Sequence, residues 1–168
     1  MGGESYVNTL LTISTPHLGC RLASLLRDNT LLSNHQQIVE PAIRALGVNY
    51  DIYLNDFNQG NVRELNKTAV DAPGVNYVSV GGRKLQLRGS ESLRVTNELI
   101  GDCVTEEYAN DGIVGTKEAV WGQHLLNFDA DHFEMIGMRA NFSAKEMFNF
   151  YSNTVKYYDS GFKRNIDI

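Results

Sequence analysis

"VNTLLTISTPHLGCRLASLLRD" (7–28) is the stretch on which the fold turns. Its first part is rich in Val, Thr, Leu and Ile, residue types that fit a pleated, buried surface. Pro16 closes the run, because proline has no N–H to give to a strand ladder. Leu22, Leu25 and Leu26 then recur at helical spacing. The stretch reads as a strand over 7–15, a short loop and a helix over 21–28. A strand followed by a helix, rather than by a tight turn and a second strand, opens a crossover connection.

The rest of the chain repeats that grammar. "DAPGVNYVSVGG" (71–82) is a turn and a second strand, and 124–128 is a short third one. Between the first two strands, Ile38, Ala42, Ile43 and Leu46 give 36–46 a helical stripe that stops at Gly47. Pro41 inside it predicts a kink or a split. Residues 48–60, polar and aromatic, read as loop. Residues 61–69 read as a short helix with Val62 and Leu65 inward, 83–90 as a polar connection, 91–101 as a helix and 116–121 as another. The last helix opens on a Ser143-x-x-Glu146 capping box and continues through Met147, Phe150, Tyr151 and Val155. Strands separated by helices predict an α/β fold: one domain over 1–168, with about three parallel strands flanked by helices. In such sheets reactive groups collect on loops at the carboxyl ends of strands.

Composition excludes several functions. The 42% hydrophobic and 21% charged content is that of an ordinary soluble globular chain. Net charge is −5 with dispersed basic residues, so nucleic acid is not an expected partner. No apolar stretch reaches the length of a transmembrane helix. The opening Met1-Gly2-Gly3-Glu4-Ser5 is not a secretory signal, which tilts the expectation to the cytoplasm and leaves the compartment open. Cys20 and Cys103 lie far apart and read as two buried thiols, or as a single disulfide in a secreted protein.

Two polar knots carry chemistry. Asp111 sits in Asn110-Asp111-Gly112, and His132 ends Asp129-Ala130-Asp131-His132. Either alone has a plain explanation, a turn for the aspartate and a surface or capping position for the histidine. Together, and in this order, they match the acid and base of a hydrolase triad. There a carboxylate holds an imidazole in one tautomer while the imidazole moves the proton. No cofactor or metal is expected. Gly81-Gly82 and Gly112-x-x-Gly115 are not phosphate loops. Asp102, Asp129, Asp131 and Glu134 offer oxygens near the histidine, but without the dense spacing of a calcium loop.

Four stretches resemble one family. "VNTLLTISTPHLG" is similar to the strand and Pro-His-x-Gly turn of triacylglycerol-lipase-like α/β-hydrolases. "LNKTAVDAPGVNYVSVGG" resembles their Pro-Gly-Val-x-Tyr-x-Ser strand. "NDGIVGTKEAVWG" resembles their acid loop, and "DADHFEMIG" their histidine loop. The resemblance covers nearly the whole chain. It implies that Asp111 is the catalytic acid, that His132 is the catalytic base, and that His17 has a structural role. It also implies acyl-ester substrates such as acylglycerols. It makes 21–69 a cap or lid, with Leu25, Leu26, Leu31 and Leu32 lining the acyl pocket; plain core helices explain the same residues as well.

One departure is large. The family nucleophile lies in Gly-x-Ser-x-Gly, and this chain has no such pentapeptide. Gly3-Glu4-Ser5-Tyr6-Val7 begins like it but ends in valine, with a strand rather than a helix after it. The expectation is the carboxyl-terminal half of a lipase, without the nucleophile elbow and inactive alone. Its open sheet edge at 7–15 would be met by a second copy or by a separate amino-terminal half. The rival reading is a non-catalytic binding or assembly protein built on the same fold.

Overall fold

The computed structural model describes residues 6–28, 35–84, 91–101, 107–138 and 144–160. The β-branched run forms β1 (Thr9–Ile13), and the Val-rich run after the Pro-Gly turn forms β2 (Asn76–Gly82). With β3 (Gln123–Phe128) they make one sheet in the order β1-β2-β3, parallel at both pairings. Thr9 stands opposite Asn76 and Ile13 opposite Val80. Between β2 and β3 the register slips. Ser79 faces His124, but Gly81 faces Asn127, so β3 carries one extra residue. Such a bulge re-aims a strand end, and this end leads into the histidine loop.

The helices are α1 (Arg21–Asp28), α2 (Gln36–Ala45), α3 (Tyr50–Asp56), α4 (Gln59–Asn66), α5 (Glu91–Ile100), α6 (His132–Met135) and α7 (Ala144–Asp159). They pack as two groups. α7 covers one face of the sheet, where Met147 and Tyr151 meet Leu11, Ile13, Val80 and Phe128. A second cluster gathers Leu22 of α1, Val39 and Ile43 of α2, Tyr53 of α3, Leu93 of α5 and Phe133 of α6 with Ile113 and Val114 of the loop before β3. Leu22, Ile43 and Leu93 have no exposed surface, and each such burial is worth about 1.5–3 kcal/mol.

Several sequence expectations need correction. Residues 48–60 are not a loop. Asn49 accepts the N–H groups of Asp51 and Ile52 and starts α3, and Asn58 accepts that of Asn61 and starts α4. An asparagine cap supplies the acceptor that a new helix end needs. Residues 116–121 form a hydrogen-bonded turn rather than a helix, held by Glu118 Oε2 on the Gly115 N–H at 2.9 Å. Leu65 points outward, 60% exposed, while Val62 is buried. Ile38 is half-exposed, and the inward stripe of α2 runs through Val39, Ala42 and Ile43. Pro41 does not split α2; it lies on the solvent side, where water can take the carbonyl left without an amide partner. Cys20 is a buried free thiol. Cys103, Asp102, Leu31, Leu32, Ser143 and Ser5 lie outside the described residues.

Candidate active site

The acid loop is a tight double-backed turn. Asn110 and Gly115 bridge across it, and Asp111 N donates to Val114 O at 3.1 Å. Gly112 takes φ +97°, a left-handed conformation that explains the glycine of Asn-Asp-Gly. The Asn110 side chain is buried and ties the loop down. Its Oδ1 accepts the Gly112 N–H and the Asn97 amide, both at 2.8 Å. Asp111 has no exposed surface. Its Oδ1 accepts the N–H groups of Ile113 at 3.0 Å and Val114 at 2.8 Å, which leaves Oδ2 directed at the histidine.

His132 stands on α6, a single helical turn. Asp131 caps it, and Glu134 returns the bond: Asp131 Oδ1 accepts from Glu134 N at 2.9 Å and Glu134 Oε2 from Asp131 N at 2.8 Å. The sequence shows this box as Asp-x-x-Glu. Lys84, just past β2, sets its ammonium 3.2 Å from Glu134 Oε2 and donates to the Asp129 carbonyl at 3.2 Å. Asp131 and Glu134 are thus engaged in holding this loop. Among the described residues, no three His, Cys, Asp or Glu side chains cluster as a metal site.

The two sequence-predicted residues meet. His132 Nδ1 lies 2.8 Å from Asp111 Oδ2, and His132 N donates to Asp111 O at 2.9 Å. Burial alone would lower the imidazole's pKa. The charge and hydrogen bond of Asp111, helped by Asp131, outweigh it, and the net shift is upward. Nδ1 donating to the carboxylate leaves Nε2 as the basic nitrogen.

Beside the imidazole is a cavity of about 270 Å³. Its walls come from the end of β1 (Ile13 to Pro16), Cys20, Ile43 and Leu46 of α2, Tyr53 and Phe57 at α3, and Ile113, Val114 and Ile136 of the loops. Leu25 and Leu26, expected to line an acyl pocket, do not reach it. Leu26 packs on the helical cluster and Leu25 faces a separate surface hollow. Ile43 and Leu46 at α2 and Tyr53 and Phe57 at α3 line it instead.

His17 is not on the cavity wall. Its Nε2 is 2.9 Å from Thr12 Oγ1, its ring stacks on Trp121 at 5.2 Å, and its carbonyl accepts the Asn66 amide. Burial lowers its pKa, with Asp71 opposing. It pins the loop after β1 to the strand and to the segment before β3.

Ser14 is the site residue that the sequence did not mark. It follows β1 directly, lies on the cavity wall, and is 3% exposed. Its φ is +45°, positive for no other non-glycine among the described residues. That conformation costs a residue with a Cβ on the order of 1–3 kcal/mol. Its hydroxyl is buried with no hydrogen-bond partner among the described residues. Nothing in Ser-Thr-Pro-His flags a left-handed serine.

No protein-family model matches the sequence, nor does any curated protein. Solved structures do match in shape. The mature form of the Bacillus licheniformis lipase BlEst2 superposes with a TM-score of 0.66 at 22% identity, over 92% of this chain and 57% of that one. Staphylococcus hyicus lipase gives 0.64 at 16% identity, over 94% and 59%. EstA from Clostridium botulinum gives 0.63 at 16%, over 89% and 53%. The fold is that of the α/β-hydrolase lipases. The chain spans between half and three fifths of the length of these three lipase-fold structures, whose names describe lipases and an Est protein.

Proposed function

We propose that this chain carries the acid and base of a lipase-type carboxyl-ester hydrolase site. The observation that carries the reading is the 2.8 Å bond from His132 Nδ1 to buried Asp111 Oδ2, at the edge of an apolar cavity on a lipase fold. Asp111 fixes the tautomer, and its two backbone N–H bonds hold the carboxylate still. His132 Nε2 takes the proton of an attacking hydroxyl and passes it to the departing alkoxide. The substrates are acyl esters, acylglycerols among them, with the acyl chain in the cavity. Helices α1 to α4, within 21–69, serve as the cap over it.

The nucleophile comes from a Gly-x-Ser-x-Gly segment outside these 168 residues, covalently joined or held against the open edge of β1. The oxyanion donors belong to the same segment. The non-catalytic reading keeps the cavity and drops the chemistry. The test is hydrolysis of p-nitrophenyl butyrate by the chain combined with such a segment. Turnover lost in both Asp111→Asn and His132→Ala is the expected result. Turnover indifferent to both substitutions refutes the assignment.

A further inference from the structure

We infer that Ser14 is a ligand-contacting residue of this site, its hydroxyl donating to the oxygen of an acyl ester, or of its carboxylate product, held in the cavity beside His132. The inference rests on the ester-hydrolase reading for its ligand class. It rests on Ser14 itself for the role.

The cavity wall offers few polar side chains, and most are committed. Cys20 Sγ donates to the Ile113 carbonyl at 3.0 Å and lies 2.9 Å from Tyr53 Oη, so the two occupy each other. Thr15 Oγ1 turns back to the Ile13 carbonyl at 3.4 Å. His132 Nδ1 belongs to Asp111. Ser14 Oγ has no partner among the described residues. An unpaired buried hydroxyl destabilises a fold, and a left-handed serine adds to that. Two costs at one residue, on a cavity wall next to a base, mark a position kept for something other than stability. The backbone here is otherwise firm: Ser14 N donates to the Val80 carbonyl at 2.9 Å, which fixes the residue on the sheet.

The surrounding chemistry selects the ligand. Ile13, Ile43, Leu46, Phe57, Val114 and Ile136 supply apolar walls. The partners left for a polar head are the histidine and the serine. A short alkyl chain ending in an oxygen acceptor fits both requirements. A sugar or a nucleotide brings hydroxyls that these walls leave unpaired.

The experiment uses the full chain with sodium octanoate as probe. Affinity is read by calorimetry and stability by thermal unfolding. Ser14→Gly keeps the positive φ and removes the hydroxyl. It is expected to melt above the wild type while binding octanoate roughly tenfold or more weakly, the size of one hydrogen bond to a charged group. Ser14→Ala is expected to lose affinity equally without the gain in melting temperature that release of backbone strain gives. The inference is overturned by variants that bind octanoate as tightly as the wild type, by a wild type that does not bind it, or by a Ser14→Gly chain that melts lower. None of these readouts needs turnover. A chain that passes them yet never completes an esterase leaves Ser14 in place and removes the hydrolase reading instead.

Discussion

Asp111 and His132 are joined twice, through Oδ2 and Nδ1 at 2.8 Å and through the Asp111 carbonyl and the His132 amide at 2.9 Å. The backbone bond positions the loop and the side-chain bond sets the tautomer. The two can be separated by mutation, because only the second depends on the aspartate side chain.

Asp111→Asn is expected to keep the loop and lose the function of the pair. With a serine-bearing segment present, kcat should drop by about 10⁴, as when a triad imidazole is held in the wrong tautomer. Asp111→Ala also strips acceptors from the Ile113 and Val114 amides. It should cost about 3–5 kcal/mol, the range for breaking a buried charged pair, read by urea unfolding. Loss of less than 1 kcal/mol (about a fivefold change in the folded-to-unfolded ratio) would mean that the loop does not depend on the carboxylate.

The chain alone should show almost no esterase activity. Absence of the nucleophile costs on the order of 10⁶ in kcat. His132 acting on water as a general base recovers only about 10² to 10⁴. Robust turnover by the isolated chain, abolished by His132→Ala, would show that a serine within it completes the site. Ser5→Ala is then the first variant to make, because Ser5 alone lies in a near-match to the elbow motif.

Stability should depend on pH through His132. Its pKa is raised in the folded chain, because Asp111 outweighs the opposing effect of burial. The folded state therefore holds this proton more tightly than the unfolded state. The pair's contribution is fully present below the ordinary histidine value of about 6.5 and is lost as pH climbs through the raised folded value. The melting-temperature gap between wild type and His132→Gln should thus be wider near about pH 5.5 than near about pH 9. A gap that widens with pH would reverse the sign of the shift.

Gly82 is where the acid and histidine loops close on the sheet. A Cβ there would stand 2.8 Å from both the Asp111 Cβ and the Ala130 carbonyl. Gly82→Ala should cost about 1–3 kcal/mol as overpacking and push the two loops apart. The Nδ1 proton resonance of His132 should be lost or shifted. An unchanged spectrum would show that the loops can give way.

The parallel sheet was legible because β1 and β2 are compact runs rich in Thr, Ile or Val with helical spacing between them; β3, Gln-His-Leu-Leu-Asn-Phe, holds no β-branched residue and was read as a short strand before the histidine loop. The pairing of Asp111 with His132 was legible because both sit in short polar motifs beyond strands. α3 was not, because its start depends on the single Asn49 in a polar, aromatic stretch, and its apolar period is too short to show; α4 was legible through Val62, with its start, after the Asn58 cap, falling two residues before the reading of 61–69. Of the two explanations for Leu25 and Leu26, the plain core helix fits Leu26, while the cavity is lined by Ile43 and Leu46 at α2 and by Tyr53 and Phe57 at α3. The turn at 116–121 fooled the helical period because Glu118 closes it onto Gly115, a contact between side chain and backbone that spacing does not encode. Ser14 stayed hidden because a positive φ on serine is set by the strand, the proline and the loop together.

The cavity is walled by stretches as distant in sequence as Ile13 and Ile136. Unfolding scatters them, so an occupant can bind only the assembled chain. Mass action then makes the ligand a removable staple between the sheet and its helical layer, worth about 2.7 kcal/mol at a hundredfold excess over Kd. Supply of the ligand and lifetime of the fold become one variable.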